Sequence, residues 1–158
     1  MKYIILFTLL LTSLLNAEDL KIKANSFKAD ENTGISVFSG DVNIIKKNDE
    51  LNASEVTIYV DKKKQPTKFI ALGDVSFTIE TKQGAIYKGV AGKVIYLPNK
   101  KEYHFFKDVH LKQVNEKKEI IGKEVVLKTT EGKAYAKGVK SEPVIMIFNI
   151  PDEEEDKE

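Results

Sequence analysis

The sequence has no cysteine and no arginine, and only two histidines in 158 residues. Without cysteine no disulfide can staple the fold, so stability must come from an apolar core or from strands shared with a partner. Without arginine every basic side chain is lysine, which meets an anion as a mobile point charge and lacks the fixed bidentate fork of a guanidinium. The formal net charge is +1, and beyond residue 17 the chain carries 24 lysines against 24 acidic residues. That balance excludes a general nucleic-acid field, so no nucleic-acid partner is expected. No segment sustains a 3.6-residue apolar period, which excludes a helical domain.

Motifs for catalysis are missing as well. There is no Gly-x-Ser-x-Gly, and Gly84 to Gly89 is followed by Val90 where a phosphate-binding loop has lysine. His104 and Asp108 stand four strand residues apart, about 13 Å, too far to share a metal ion. With His110 they read as a polar outer face opposite Phe105, Val109 and Leu111. The sequence therefore supplies no nucleophile–base pair, and no enzyme activity, cofactor or metal is expected.

What is present is repetition. Phe38-Ser39-Gly40-Asp41-Val42-Asn43-Ile44 returns as Ala71-Leu72-Gly73-Asp74-Val75-Ser76-Phe77, and more loosely as Phe105-Phe106-Lys107-Asp108-Val109-His110-Leu111. The Asp-Val pairs lie 33 and 34 residues apart, the mark of one supersecondary unit stacked on its neighbours. In each copy a turn signal is followed by apolar residues at every second position, the period of a strand with one buried face. A second motif follows the first. Ile22-Lys23-Ala24-Asn25-Ser26-Phe27, Leu51-Asn52-Ala53-Ser54-Glu55-Val56, Gly89-Val90-Ala91-Gly92-Lys93-Val94 and Ile120-Ile121-Gly122-Lys123-Glu124-Val125 share an apolar–small–apolar step of three. Positions three apart face opposite sides of a regular strand, so this step predicts a bulge or corner at the small residue, or else two short strands joined by a turn.

Polar turns at 30–34, 46–50, 61–66, 82–84, 97–100, 115–118 and 131–133 separate these stretches. The expectation is one all-β domain over residues 18–150. At the N-terminus, Lys2, the apolar run Ile4 to Leu15 and Asn16-Ala17 read as a signal peptide over 1–17 cut after Ala17. The apolar run is about a dozen residues, short of the roughly 20 of a spanning helix; the rival reading is an uncleaved membrane anchor. Residues 151–158, Pro151 and an acidic run, read as a disordered tail.

The repeated Gly-Asp-Val blocks and the Ala-x-x-Val-x-Tyr-like blocks, behind a leader, resemble the OstA-type family of periplasmic lipopolysaccharide-transport proteins that includes LptA. Ser54-Glu55 and Gly92-Lys93 depart from the usual Ala-Asp continuation, and Glu142-Pro143-Val144 resembles the proline that closes many members. The resemblance spans about Leu20 to Phe148. It implies a slightly twisted open β-jellyroll, here roughly 12–16 short antiparallel strands in repeats of about 33 residues. It also implies a periplasmic place, binding of the acyl chains of lipopolysaccharide, and head-to-tail assembly between an LptC-like inner-membrane protein and an LptD-like outer-membrane protein. The alternatives are an LptC-like anchored component and a structural β-repeat polymer that binds no lipid. Alternation puts Val42, Ile44, Val56, Ile58, Phe69, Val75, Phe77, Ile79, Val94, Tyr96, Val109, Leu111, Val125 and Leu127 on the inner faces. These form either a lipid slot or a dry core. The terminal strands are the expected assembly edges: Leu20, Ile22, Ala24 and Phe27 at one end, and Val144, Ile145, Met146, Ile147 and Phe148 at the other. Val144 to Phe148 is apolar on both parities, more than a solvent-facing edge normally tolerates.

Overall fold

The computed structural model describes residues 19–150. The leader, its cut after Ala17 and the acidic tail lie outside the described residues. Ten strands run in order: β1 (Leu20–Lys23), β2 (Ser26–Asp30), β3 (Ile35–Lys46), β4 (Asp49–Val60), β5 (Pro66–Glu80), β6 (Ile86–Leu97), β7 (Glu102–Gln113), β8 (Lys118–Lys128), β9 (Lys133–Lys137) and β10 (Ile145–Ile147). The described residues contain no helix. Every strand pair is antiparallel. The sheet order is β1-β3-β4-β5-β6-β7-β8-β10, with β2 also on β3 and β9 also on β8. From β2 to β9, nearest neighbours in sequence are therefore neighbours in space, as a chain of hairpins with polar turns requires.

The strands are fewer and longer than the 12–16 expected; β5 alone runs 15 residues. The reason lies in the Gly-Asp motif, which bends strands without ending them. Ser39 pairs with Glu55 and Val42 with Ala53, so Gly40-Asp41 stands opposite Ser54 alone. Gly73-Asp74 likewise stands opposite Gly92, and Lys107-Asp108 opposite Lys123. Each is a bulge of two residues against one. Both residues of each pair are left-handed: φ is +80° and +46° at Gly40-Asp41, +81° and +45° at Gly73-Asp74, and +64° and +51° at Lys107-Asp108. Glycine takes this conformation freely and Asp tolerates it better than most.

The third copy has lysine in the glycine's place, and a glycine has moved to the facing strand. A Cβ on Gly73 would sit 2.5 Å from Ser54 Oγ, and one on Gly92 would sit 2.9 Å from Lys107 Cβ. In the β4–β5 and β6–β7 crossings one glycine thus meets one side chain, Gly73 with Ser54 and Gly92 with Lys107.

The line of bulges folds the sheet on itself. Phe77 follows the bulge of β5 and Phe105 precedes that of β7, yet their ring centroids are 4.4 Å apart. One strand, β6, and a bulge line separate them within the sheet, so only a folded sheet brings them together. The result is two layers, with one half of each long strand in each. Inner positions continue from strand to strand. In one layer the register runs Phe27, Phe38, Val56, Ala71, Val94, Phe105, Val125, Ala136. In the other it runs Ile22, Ile44, Leu51, Phe77, Gly89, Leu111, Ile120, Met146. Both rows are apolar from the β1–β2 edge to the β9–β10 edge. Gly89 is the one gap, and the Phe77 ring fills it: a Cβ there would lie 2.9 Å from Phe77 Cζ and 2.1 Å from the His110 carbonyl oxygen. The fully buried side chains include Val56, Val75, Phe105, Val109, Leu111, Val125 and Leu127. At about 1.5–3 kcal/mol each, such burial is the main term holding the layers together.

Candidate functional site

The layers part on one side of this core. There a cleft of about 680 Å³ opens between them. One wall carries Ile44, Leu51, Thr78 and Ile79 from the halves of β3, β4 and β5 in one layer; the other carries Val56, Phe69, Ala71, Val94, Tyr96 and Tyr103. Leu20 stands at its mouth with Lys46, Glu50, Asp61 and Gln65. A run of rings leads from the cleft into the core, with centroid separations of 5.9 Å for Phe69–Tyr96, 4.3 Å for Tyr96–Tyr103 and 6.1 Å for Tyr103–Phe105. A cavity this size with a largely apolar lining and a few polar groups has the character of a small-ligand site.

One polar pair lies within it. Asp49 Oδ1 accepts a hydrogen bond from the Glu80 backbone N–H at 2.8 Å, and Oδ2 accepts one from the Tyr103 hydroxyl at 3.4 Å. The second bond joins one layer to the other. Burial raises the Asp49 carboxyl above its ordinary range, outweighing these hydrogen bonds and the charge of Lys46. Burial, together with the Asp49 charge, pushes the Tyr103 phenol well above its ordinary value.

At the opposite end the layers are tied shut. The Lys82 N–H donates to the Thr129 carbonyl at 3.1 Å and Gln83 Nε2 donates to the Thr130 carbonyl at 2.6 Å. Thr81, only 3% exposed, accepts from the Ala85 N–H through Oγ1 at 3.1 Å.

All fourteen residues assigned to the inner faces are buried or half-buried. The cleft divides them. Ile44, Val56, Phe69, Ile79, Val94 and Tyr96 line it. Val42, Ile58, Val75, Phe77, Val109, Leu111, Val125 and Leu127 lie in the packed interior instead. Leu51, Ala71 and Tyr103 share the inward parity of the neighbours that alternation identified, so the same signal reaches them. Asp49 has the same parity but opens β4 beside a polar turn, where a charged residue carries no such signal.

The outer edges are unpaired on one side. β1 and β2 bond only to β3, and β10 bonds only to β8. Phe27 is 62% exposed and Met146 56%, with Leu20, Ile145, Ile147 and Phe148 also exposed; Ile22, Ala24 and Val144 are half-buried. The histidines sit on outer faces, His104 Nε2 at 3.2 Å from Glu102 and His110 Nε2 at 2.8 Å from Glu119. Among the described residues no group of three His, Cys, Asp or Glu side chains could hold a metal ion.

The repeat, the folded sheet and the apolar cleft now meet an independent comparison. A family model described as "LptA/(LptD N-terminal domain) LPS transport protein" matches residues 21–133. The chain belongs to this family. Among solved structures the fold matches LptH of Pseudomonas aeruginosa, described as the LptA-homologous periplasmic component of the lipopolysaccharide transport device. The match has a TM-score of 0.74 at 16% identity, covering 84% of this chain and 96% of that one. At that identity the likeness concerns the fold, an open β-jellyroll. No curated protein matches. The family and fold are those of a lipopolysaccharide-transport protein.

Proposed function

We propose that this protein is the periplasmic bridge of a lipopolysaccharide-transport system, carrying lipid A acyl chains between its layers and joining copies and partners end to end. The observation that carries the reading is the inner apolar surface, which runs from one sheet edge to the other and ends in strands with free backbone groups. The cleft receives the acyl chains through Ile44, Phe69 and Tyr96, and the buried Val56, Ile79 and Val94, like the eight interior residues, meet lipid only when the layers part further. Strand β1 or β2 of one copy adds to β9 or β10 of the next, a heterologous contact that does not close on itself and so builds a filament. The inner surfaces then line up, which links assembly to transport. The same strand addition joins an LptC-like inner-membrane protein at one end and an LptD-like outer-membrane protein at the other. A leader at residues 1–17, cut after Ala17, places the mature chain in the periplasm.

The test is a chain ending at Pro143. It should stay soluble and β-rich, remain monomeric across a concentration series in light scattering, and fail to support lipopolysaccharide export. If it oligomerises as the full-length chain does, the C-terminal edge is not the joint.

A further inference from the structure

The facing walls of the cleft are apolar except for Thr78 and the pair that crosses it, while Lys46, Glu50, Asp61, Gln65 and Asn99 add polar groups to its lining. A slot for plain hydrocarbon has no use for a half-buried carboxylate, which costs free energy to bring out of water. Asp49 is fixed through Oδ1 on the Glu80 N–H at 2.8 Å. Its other oxygen reaches the Tyr103 hydroxyl at 3.4 Å, long against the roughly 2.7–2.8 Å of a normal O–H···O bond. Tyr103 is held by its stack on Tyr96, with centroids 4.3 Å apart and planes 21° from parallel. Both groups line the cleft, with Lys46 as the neighbouring cation.

We infer that Asp49 and Tyr103 form a polar subsite inside the cleft that selects amphiphiles bearing a hydroxyl group on the acyl chain. The inference rests on the reading of the cleft as an acyl-chain site and specifies its ligand. A chain hydroxyl entering between the pair donates to Asp49 Oδ2 and accepts from the Tyr103 O–H. One long bond gives way to two of ordinary length. A plain methylene chain at the same depth covers the carboxylate and offers it no donor, so that oxygen loses water and keeps only the long Tyr103 bond. The subsite therefore discriminates by penalty against the plain chain as well as by attraction to the hydroxylated one. Because Asp49 and Tyr103 belong to opposite layers, the hydroxyl also fixes how deep the chain sits.

Calorimetric titration with monotetradecanoyl glycerol and with counterparts carrying one hydroxyl moved along the chain tests this. The wild-type protein should bind at least one hydroxylated isomer roughly tenfold more tightly than the plain chain, the gain of a hydrogen bond to a charged group. Tyr103→Phe keeps the stack on Tyr96 and should shrink the preference to about threefold or less. Asp49→Asn keeps an acceptor for the Glu80 N–H, replaces the acceptor facing Tyr103 with an N–H donor, and should shrink it likewise. If the plain chain binds and no isomer binds more tightly, the subsite is refuted while the cleft reading stands. A preference unchanged in both variants also refutes it. Failure of every chain to bind the folded protein overturns the subsite and the cleft reading together.

Discussion

Exchanging the two sides of one bulge crossing tests the account of the fold where it is most specific. In the crossing of β4 and β5 the pair is Ser54 and Gly73; in the crossing of β6 and β7 it is Gly92 and Lys107. Gly73→Lys alone places a Cβ at φ +81° and 2.5 Å from Ser54 Oγ. The left-handed conformation costs about 1–2 kcal/mol. Crowding against Ser54 adds about 1–3 kcal/mol, as overpacking does. The Ser54 Oγ–H···O bond to the Gly73 carbonyl, 3.3 Å long, is lost as well, a minor term at about 0.5 kcal/mol. Ser54→Gly alone loses that same bond and costs about 0.5–1 kcal/mol more in chain entropy. Combining the two recreates the Gly92–Lys107 arrangement and removes the crowding. The double variant should then be more stable than the sum of single costs by about 1–2 kcal/mol, a coupling well above the few tenths expected of independent sites. Urea melts of the four proteins measure it. With an m-value of about 2 kcal/mol/M the coupling moves the midpoint by roughly 0.5–1 M. Strict additivity would refute the steric exchange, and with it the explanation of why the third copy dispenses with its glycine.

Three further outcomes are expected. Gly89→Ala should cost about 3 kcal/mol or prevent folding, because its Cβ would meet the His110 carbonyl oxygen at 2.1 Å; an unchanged melting temperature would show that the strands are not held so close. Asp49 has a raised folded-state pKa, so the folded protein takes up this proton before the unfolded chain does. Its ionisation therefore lowers stability as pH rises from the ordinary carboxylate range through the folded pKa. Asp49→Asn, which cannot ionise, should gain on the wild type across that window, read from urea midpoints at acidic and neutral pH; a constant gap would mean the carboxylate is not desolvated. Removing residues 151–158 should leave oligomerisation and export unchanged, and loss of either would give the acidic run a part in assembly.

Much of this was legible in the residues, for a definite reason. Period-two alternation reports which side of a strand is apolar, and Val56, Val75, Val94, Val109 and Val125 are buried where it puts them. The repeated step of three reports a break in that phase, and the register shifts at Asn52/Glu55 and Val90/Lys93 are its structural form. What alternation lacks is any measure of the distance between layers. Phe69 and Leu127 have the same local pattern, yet one lines the cleft and the other is fully buried, because the layers splay at one end and are tied by Lys82–Thr129 at the other. Asp49 is hidden by its place at the start of β4, beside a lysine-rich turn where a charged residue is ordinary. Strand number was overestimated because a bulge and a turn look alike in sequence. The double parity of Val144 to Phe148 left two outcomes, cover by a partner or burial beneath the chain's own strands. Ile145, Met146 and Ile147 are exposed within this chain, so burial beneath its own strands is not what protects them.

In the proposed function, acyl chains enter between the layers. A photoreactive residue placed in turn at Ile44, Phe69 and Tyr96, with the outward neighbours Asn43, Ser76 and His110 as controls, tests it most directly when the protein is irradiated with lipopolysaccharide. Lipopolysaccharide adducts are expected from the three cleft positions and few from the controls. Equal yields from both sets, or none from the cleft positions of a folded protein, would contradict it.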